Sequence, residues 1–206
     1  TDDLDPAAVI AHVYPDPEEL GRVYRTDIPI LATPRGFAAA LPRLGGVAFP
    51  AWAGWRAETR RRYLGFHTPA EPRAGLDLAH VMVELRARLP ENAIVTNGAG
   101  NYNIWLHRYF SYRRFGTQIA PKSGTMGYGL PAAIAAALRH PTRAVVALAG
   151  DGCFTMALPE LATAVQHNLA LTVLVVNNGQ YGSIRMHQER RYPGGTYATG
   201  LVTPDF

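Results

Sequence analysis

The stretch LAGDGCFTMALPELATAVQHNLALTVLVVNNGQYGS, residues 148–183, closes one apolar run with Gly-Asp-Gly at 150–152 and the next with Asn-Asn at 177 and 178. RAVVALA, which leads into the first cluster, and LTVLVVN, which leads into the second, are continuous apolar runs rather than alternating ones. That pattern predicts strands of a parallel sheet buried on both faces. LPELATAVQHNL between them predicts a helix with Leu158, Leu161, Ala162, Val165 and Leu169 on its apolar side. Two parallel strands that finish side by side bring their polar ends into one crevice, where open α/β sheets bind ligands. An ion or a phosphate is the expected occupant.

Upstream the same alternation continues from Leu76. LDLAHVMVELRARLP carries apolar residues at 78, 81, 82, 85 and 89 and predicts a helix; AIVTN predicts a short buried strand, and GNYNIWLHRYF a helix after a Gly-rich turn. GLPAAIAAALRH predicts a further helix, opened by Pro131 and stopped before Pro141. Residues 76–206 therefore read as an α/β domain with a parallel sheet covered on both faces. Residues 1–44 read as strand, helix, strand, helix in miniature: AVIAHVY, DPEELGRVY, IPILAT and PRGFAAALPRL. Asp16-Pro17-Glu18-Glu19 marks the first of those helix starts with a cap, a first-turn proline and first-turn acids. This piece is too small for a complete α/β domain and is expected to be the end of one. Residues 45–75 carry Gly, Pro and bulky aromatics without a period, and predict an irregular connection pinned by Trp52, Trp55 and Phe66.

Composition excludes several classes. With 48% hydrophobic and 17% charged residues in 206, the chain has the makeup of a globular protein with a sizeable core. The net charge of +4 comes almost wholly from scattered arginines, since Lys122 is the only lysine, and no basic stripe or named module points to nucleic acid. Cys153 is the only cysteine, so no intrachain disulfide can form. No apolar run has the length needed to span a bilayer, and TDDLDPAAVI is not a secretory leader; a cytoplasmic location is the expectation.

Three polar clusters fall at strand or helix ends: Asn97-Gly98-Ala99-Gly100-Asn101, Ser123-Gly124-Thr125-Met126-Gly127-Tyr128-Gly129, and Asp151 with Asn177-Asn178. Glycines let backbone approach a ligand closely, and a helix start such as that at Leu130 offers free N–H groups to phosphate. Phosphates need a counter-cation, and Mg²⁺ is held through one or two protein oxygens plus the phosphates themselves. Asp151 offers a carboxylate oxygen, Asn178 an amide oxygen, and the turn after it a backbone carbonyl. Gly-Asp-Gly and Asn-Asn-Gly are each ordinary turns when met alone; their joint placement at the ends of successive buried strands is what points to a metal-diphosphate site. The glycines at 124, 127 and 129 match neither the dinucleotide fingerprint nor the P-loop, which disfavours NAD and ATP.

With these motifs the chain resembles the thiamine diphosphate-dependent enzymes, most closely the group of acetolactate synthase, benzoylformate decarboxylase and indolepyruvate decarboxylase. GDG at 150–152 followed by NN at 177 and 178 matches the family's diphosphate signature, and SGTMGYGLPAAIAAAL resembles the segment around the cofactor's aminopyrimidine. The resemblance covers residues 76–206, and more weakly 7–44. It implies a three-layer α/β/α diphosphate-binding domain, preceded by the end of the family's central domain. It also implies Mg²⁺ ligation by Asp151, the Asn178 side chain and the main-chain carbonyl of Gln180. Met126 would sit under the bend of the cofactor, Gly124 would offer its carbonyl to the aminopyrimidine amine, and Gly100 and Asn101 would touch the diphosphate. Gly152 and Cys153 would donate backbone N–H groups to the same phosphates. The chain departs from well-known relatives at Asn101-Tyr102, where many have Gln-His, and at Cys153, where many have Ser. Tyr102, Trp105, His107, Tyr181 and His187 read equally as pocket-lining groups or as core and surface residues.

The chemistry implied is decarboxylation of a 2-keto acid, after which the resulting enamine is ligated to a second keto acid or protonated to an aldehyde. The family's catalytic glutamate belongs to a separate N-terminal pyrimidine domain, and the active site forms between subunits of a homodimer or homotetramer. No catalytic residue is therefore assigned in this chain, which is expected to be an inactive, C-terminally truncated part of a longer enzyme. Some acetolactate synthases of the family carry FAD as well. Two alternatives stay open: a 2-keto acid decarboxylase, and a non-catalytic module that only binds thiamine diphosphate.

Overall fold

In the computed structural model, which describes residues 5, 7–72 and 75–206, the chain divides into two units, residues 1–59 and 60–206. The first four residues and Pro6 of the expected central-domain piece, and Arg73 and Ala74 of the expected connection, lie outside the described residues.

The first unit is built on two short strands, β1 (Ala11–Tyr14) and β2 (Ile28–Leu31), paired in parallel with Ala11 opposite Ile28 and Tyr14 opposite Leu31. The helix expected over DPEELGRVY is a single 3₁₀ turn, Pro17–Glu19. Asp16 caps it by accepting from the Glu18 N–H at 3.0 Å, but Leu20 turns extended and Gly21 takes φ +76°, so the start signal is obeyed and the helix does not propagate. Helix α1 (Pro34–Ala40) is capped by Thr33, whose hydroxyl accepts from the Gly36 N–H at 3.1 Å, and runs into a 3₁₀ turn at Leu41–Leu44.

The connection expected to be irregular over 45–75 contains instead one long helix. Helix α2 (Ala53–Phe66) runs for 14 residues; Trp52 and Trp55 are exposed, and Phe66, though also exposed, carries the Arg108 guanidinium over its ring at 3.8 Å. AGWRAETRRRYLGF has no apolar period, but Ala, Glu, Arg and Leu are good helix formers, and a helix polar on most sides leaves no stripe to read.

In the second unit, α3 (Leu78–Arg88) is capped by the Asp77 carboxylate, which accepts from the Ala79 N–H at 2.8 Å. Buried Arg86 donates to the carbonyls of Leu89 and Pro90 at 2.5 and 2.7 Å and lies over the Phe110 ring, so its charge is not left without partners. The chain continues through β3 (Ile94–Asn97), α4 (Asn103–Tyr109), the two-residue β4 (Gln118–Ile119), α5 (Gly129–Arg139) and β5 (Val145–Gly150). It then forms α6 (Asp151–Ala157), α7 (Leu161–Gln166), β6 (Thr172–Val176) and α8 (Gly182–Arg191).

The sheet is wholly parallel, in the order β4-β3-β5-β6. Every residue of β3 and β5 is buried, as their unbroken apolar runs predict. On one face Ile94, Val145 and Ala147 pack against Ala133, Ala136 and Ala137 of α5. On the other, Val95 and Leu148 join a core with Met82 of α3 and Leu106 of α4. Helices on both faces make the three-layer α/β/α arrangement.

One helix differs from expectation. LPELATAVQHNL does not form a single stripe: α6 starts already at Asp151, a 3₁₀ turn at Leu158–Glu160 interrupts the run at Pro159, and α7 resumes with shifted phase. Ala164 consequently faces the core while Val165 is 78% exposed. Among the described residues no helix is long and apolar enough to cross a membrane.

Candidate functional site

A cavity of about 220 Å³ opens beyond the carboxyl ends of β3, β5 and β6. The turn after β3 contributes Gly100 and Asn101, the loop before α5 contributes Gly124 and Met126, and the start of α6 contributes Asp151, Gly152 and Cys153. Beyond β6, Asn178 and Gln180 line it as well. All nine residues singled out in the sequence thus surround one space.

Asp151 is its most telling group. The residue is 2% exposed, and Oδ2 has no hydrogen-bond partner among the described residues. A buried carboxylate oxygen without a donor is costly unless a cation or a proton meets it. Across the cavity wall, Asn178 Oδ1 accepts from the Gln180 N–H at 3.3 Å, an Asx-type turn that shapes the loop. Among the described residues no three His, Cys, Asp or Glu side chains cluster, so a cation here draws on amide and carbonyl oxygens besides the one carboxylate.

The glycines at this site are there for close approach. A Cβ on Gly152 would stand 2.7 Å from the Tyr181 ring, and one on Gly100, whose φ is +148°, would stand 2.8 Å from the Tyr102 ring. Tyr102 itself is buried, and burial first, then the neighbouring Cys153 thiol, pushes its hydroxyl above the ordinary tyrosine range. The phenol therefore stays neutral. The Cys153 thiol donates to the Ala99 carbonyl at 2.9 Å, tying the first turn of α6 to the turn after β3.

Of the aromatic and histidine candidates, Tyr102 and Tyr181 line the cavity, whereas Trp105, His107 and His187 do not and are exposed. His107 instead pairs with Gln118 at 3.2 Å. Sequence reasoning missed the wall supplied by α8, including Ser183 and Ile184. GSIRMHQERR has no apolar period, and only its position directly after Asn-Asn-Gly-Gln could have marked it. The tail folds back on that loop: the Leu201 N–H donates to the Gly179 carbonyl and the Tyr181 N–H to the Thr199 carbonyl, both at 2.8 Å.

Comparison with known proteins places relatives beside this geometry. Residues 98–206 match the family described as thiamine pyrophosphate enzyme, C-terminal TPP binding domain. The acetolactate synthase large subunit of Lactococcus lactis subsp. lactis (strain IL1403) is 31% identical over 188 residues, which are 90% of this chain and 32% of that protein. The acetolactate synthase isozyme 1 large subunit of Escherichia coli (strain K12) is 32% identical over 202 residues, 96% of this chain and 35% of its own length. Among solved structures, the Rhodococcus jostii RHA1 thiamine diphosphate-dependent 4-hydroxybenzoylformate decarboxylase superposes with a TM-score of 0.71 at 26% identity, over 98% of this chain and 37% of that one. The chain thus spans about a third of the length of these relatives.

Proposed function

The chain belongs to the thiamine pyrophosphate enzymes, whose C-terminal TPP binding domain it carries, and from that premise we propose that it serves an acetolactate synthase-like enzyme. That enzyme decarboxylates a 2-keto acid and joins the product to a second keto acid. The observation that carries the reading is the buried Oδ2 of Asp151, without a partner among the described residues, in a residue that lines one cavity together with Asn178, Gln180, two glycine-rich turns and the start of α8. Its donor set, one carboxylate with amide and carbonyl oxygens, suits Mg²⁺ bridging to a diphosphate.

In this reading Asp151, the Asn178 amide oxygen and the Gln180 carbonyl hold the ion. Gly100, Asn101 and the backbone N–H groups of Gly152 and Cys153 would hold the diphosphate, and Gly124 and Met126 would hold the aminopyrimidine half of the cofactor. Thiamine diphosphate, when bound, supplies the carbon nucleophile and the electron sink for decarboxylation. The protein's own part is orientation and water exclusion: Tyr102 and Tyr181 wall the cavity, and the 199–201 segment braces the loop that carries Asn178. Asp151 is the only carboxylate among the described residues of the lining, and it would be taken up by the ion. No second acid is left there to handle a proton on the aminopyrimidine, so the 206-residue chain alone is expected to turn over no keto acid. A shared site in a cytoplasmic homo-oligomer would supply one.

A simple keto-acid decarboxylase is the second reading, favoured by the likeness to the 4-hydroxybenzoylformate decarboxylase structure. Calorimetric titration with thiamine diphosphate, with and without Mg²⁺, tests the common core of both. Binding is expected only with the metal, and Asp151→Ala is expected to weaken it by at least tenfold, on the scale of a lost charge-assisted contact. Metal-independent binding, or an unaffected variant, would remove the reading. A keto-acid panel on the full-length enzyme then separates acetohydroxy acid from aldehyde as product.

A further inference from the structure

We infer that Ser183 is a positioning residue, which turns the Asn101 amide so that its N–H side, and not its carbonyl, meets an anionic oxygen of the diphosphate. The inference rests on the cofactor reading above and adds to it a residue and an orientation.

An asparagine amide has two faces of opposite character, an acceptor oxygen and a two-hydrogen donor, and its neighbours decide which one a ligand sees. Here the Ser183 hydroxyl donates to Asn101 Oδ1 at 3.0 Å. On its other side, Asn101 Nδ2 points at the Met186 sulfur at 3.8 Å. Thioether sulfur is a weak acceptor and takes at most one of the two hydrogens, so the second remains available. The reversed amide would set its oxygen against a sulfur with no proton to give, leaving the oxygen without a donor there. Ser183 and Met186 stand three residues apart on α8, so both reach Asn101 from one side of that helix. Asn101 and Ser183 both line the cavity, and among the described residues its only charged side chain is Asp151, the proposed metal ligand. A neutral N–H donor beside a metal-bound diphosphate meets an anionic oxygen without adding charge.

The consequence is a division of labour: α8, which carries no metal ligand, sets the chemistry of a residue 82 positions earlier. Calorimetric titration of the whole chain with thiamine diphosphate and Mg²⁺ tests it on wild type, Ser183→Ala, Ser183→Thr and Asn101→Asp, with thermal midpoints recorded for each. Ser183→Ala is expected to bind about fivefold more weakly at an unchanged midpoint, the scale of one neutral hydrogen bond, and Ser183→Thr to bind within about twofold of wild type. Asn101→Asp keeps the acceptor for Ser183 but replaces the N–H face with an oxygen, and is expected to lose at least tenfold. Ser183→Ala binding as wild type does, Ser183→Thr failing to restore affinity, or Asn101→Asp binding normally would each overturn the inference while leaving the cofactor reading in place. A wild-type chain that binds no thiamine diphosphate would overturn both.

Discussion

Strands β1 and β2 in the first unit and strands β3 and β5 in the second are paired alike, in parallel and with four residues in register. Their surroundings are opposite. No residue of β1 or β2 is buried, and neither is any described residue of the first unit, whereas all of β3 and β5 are. The hydrogen-bond ladders being equivalent, the difference lies in what covers them: Ala133, Ala136 and Ala137 of α5 close one face of β3 and β5, and Met82 and Leu106 close the other. A ladder exchanges bonds with water for bonds within the chain at small net gain, while burial of apolar surface supplies the main driving force. The cavity belongs to the covered pair, where a rigid sheet end can hold Asp151 in a buried position.

The widest separation between the two pairs is expected from truncating one apolar side chain in each. Leu148 of β5 is fully buried, and Leu148→Ala should lower the unfolding free energy by about 2–5 kcal/mol, through lost transfer energy and the cavity left behind. Ile30→Ala in the half-buried position of β2 should cost less than about 1 kcal/mol. Urea unfolding followed by circular dichroism reads both. Equal losses would mean that the first unit has a core of its own that its exposure does not reveal.

Two glycines carry the contrast between covered and uncovered backbone into the second unit, with a smaller effect and a change of sign. A Cβ on Gly129, at the start of α5, would stand 2.9 Å from the backbone of Asn97 and Gly98, so that Thr96 can donate to the Gly129 carbonyl at 2.7 Å across the sheet end. Gly129→Ala must push backbone aside beside the cavity and is expected to cost about 1–3 kcal/mol. A Cβ on Gly65 in α2 meets nothing within 4 Å, and Gly65→Ala should stabilise that helix by about 0.5–1 kcal/mol through its better propensity. Thermal midpoints moving in opposite directions would support the distinction. A neutral Gly129→Ala would show that the approach of α5 to β3 is adjustable.

That distinction also explains which parts of the molecule could be read in advance. The runs AIVTN, RAVVALA and LTVLVVN and the alanine-rich α5 announce themselves because burial on both faces demands unbroken apolar residues; the nine cavity residues lie in or beside the polar clusters at element ends, and their roles are what the resemblance to the thiamine diphosphate-dependent enzymes implies. Helices α2 and α8 left no such trace, since neither buries any residue and polar side chains carry no period. With α8 went Ser183 and Ile184, one wall of the site. Strand β4, only two residues long, is shorter than any pattern. Val165 shows the remaining kind of miss: its spacing fitted a stripe, but the break at Pro159 rotated the helix after the pattern had been set.

The smallest effect lies in the pH response of the uncovered pair. Asp27, just ahead of β2, accepts from the Ile10 N–H at 2.9 Å and from Arg25 at 2.8 Å, fastening the entry to β1. The Ile10 bond is the largest cause holding its carboxyl below the usual value of 3.8; desolvation opposes it and the Arg25 charge adds to it. A depressed folded-state value means that the ionised form is the one bound more tightly. Its contribution is therefore present above pH 3.8, the value of the unfolded chain, and is lost as pH falls through the lower folded value. Carbon-detected titration should give an Asp27 midpoint below 3.8, and hydrogen-exchange protection of Ile10 should drop across that same window. Val95, whose N–H donates to the Thr117 carbonyl at 2.9 Å inside the covered sheet, has no carboxylate partner and should keep its protection. If both amides lost protection together, the two strand pairs would be unfolding as one, and the contrast in burial would not be a contrast in stability.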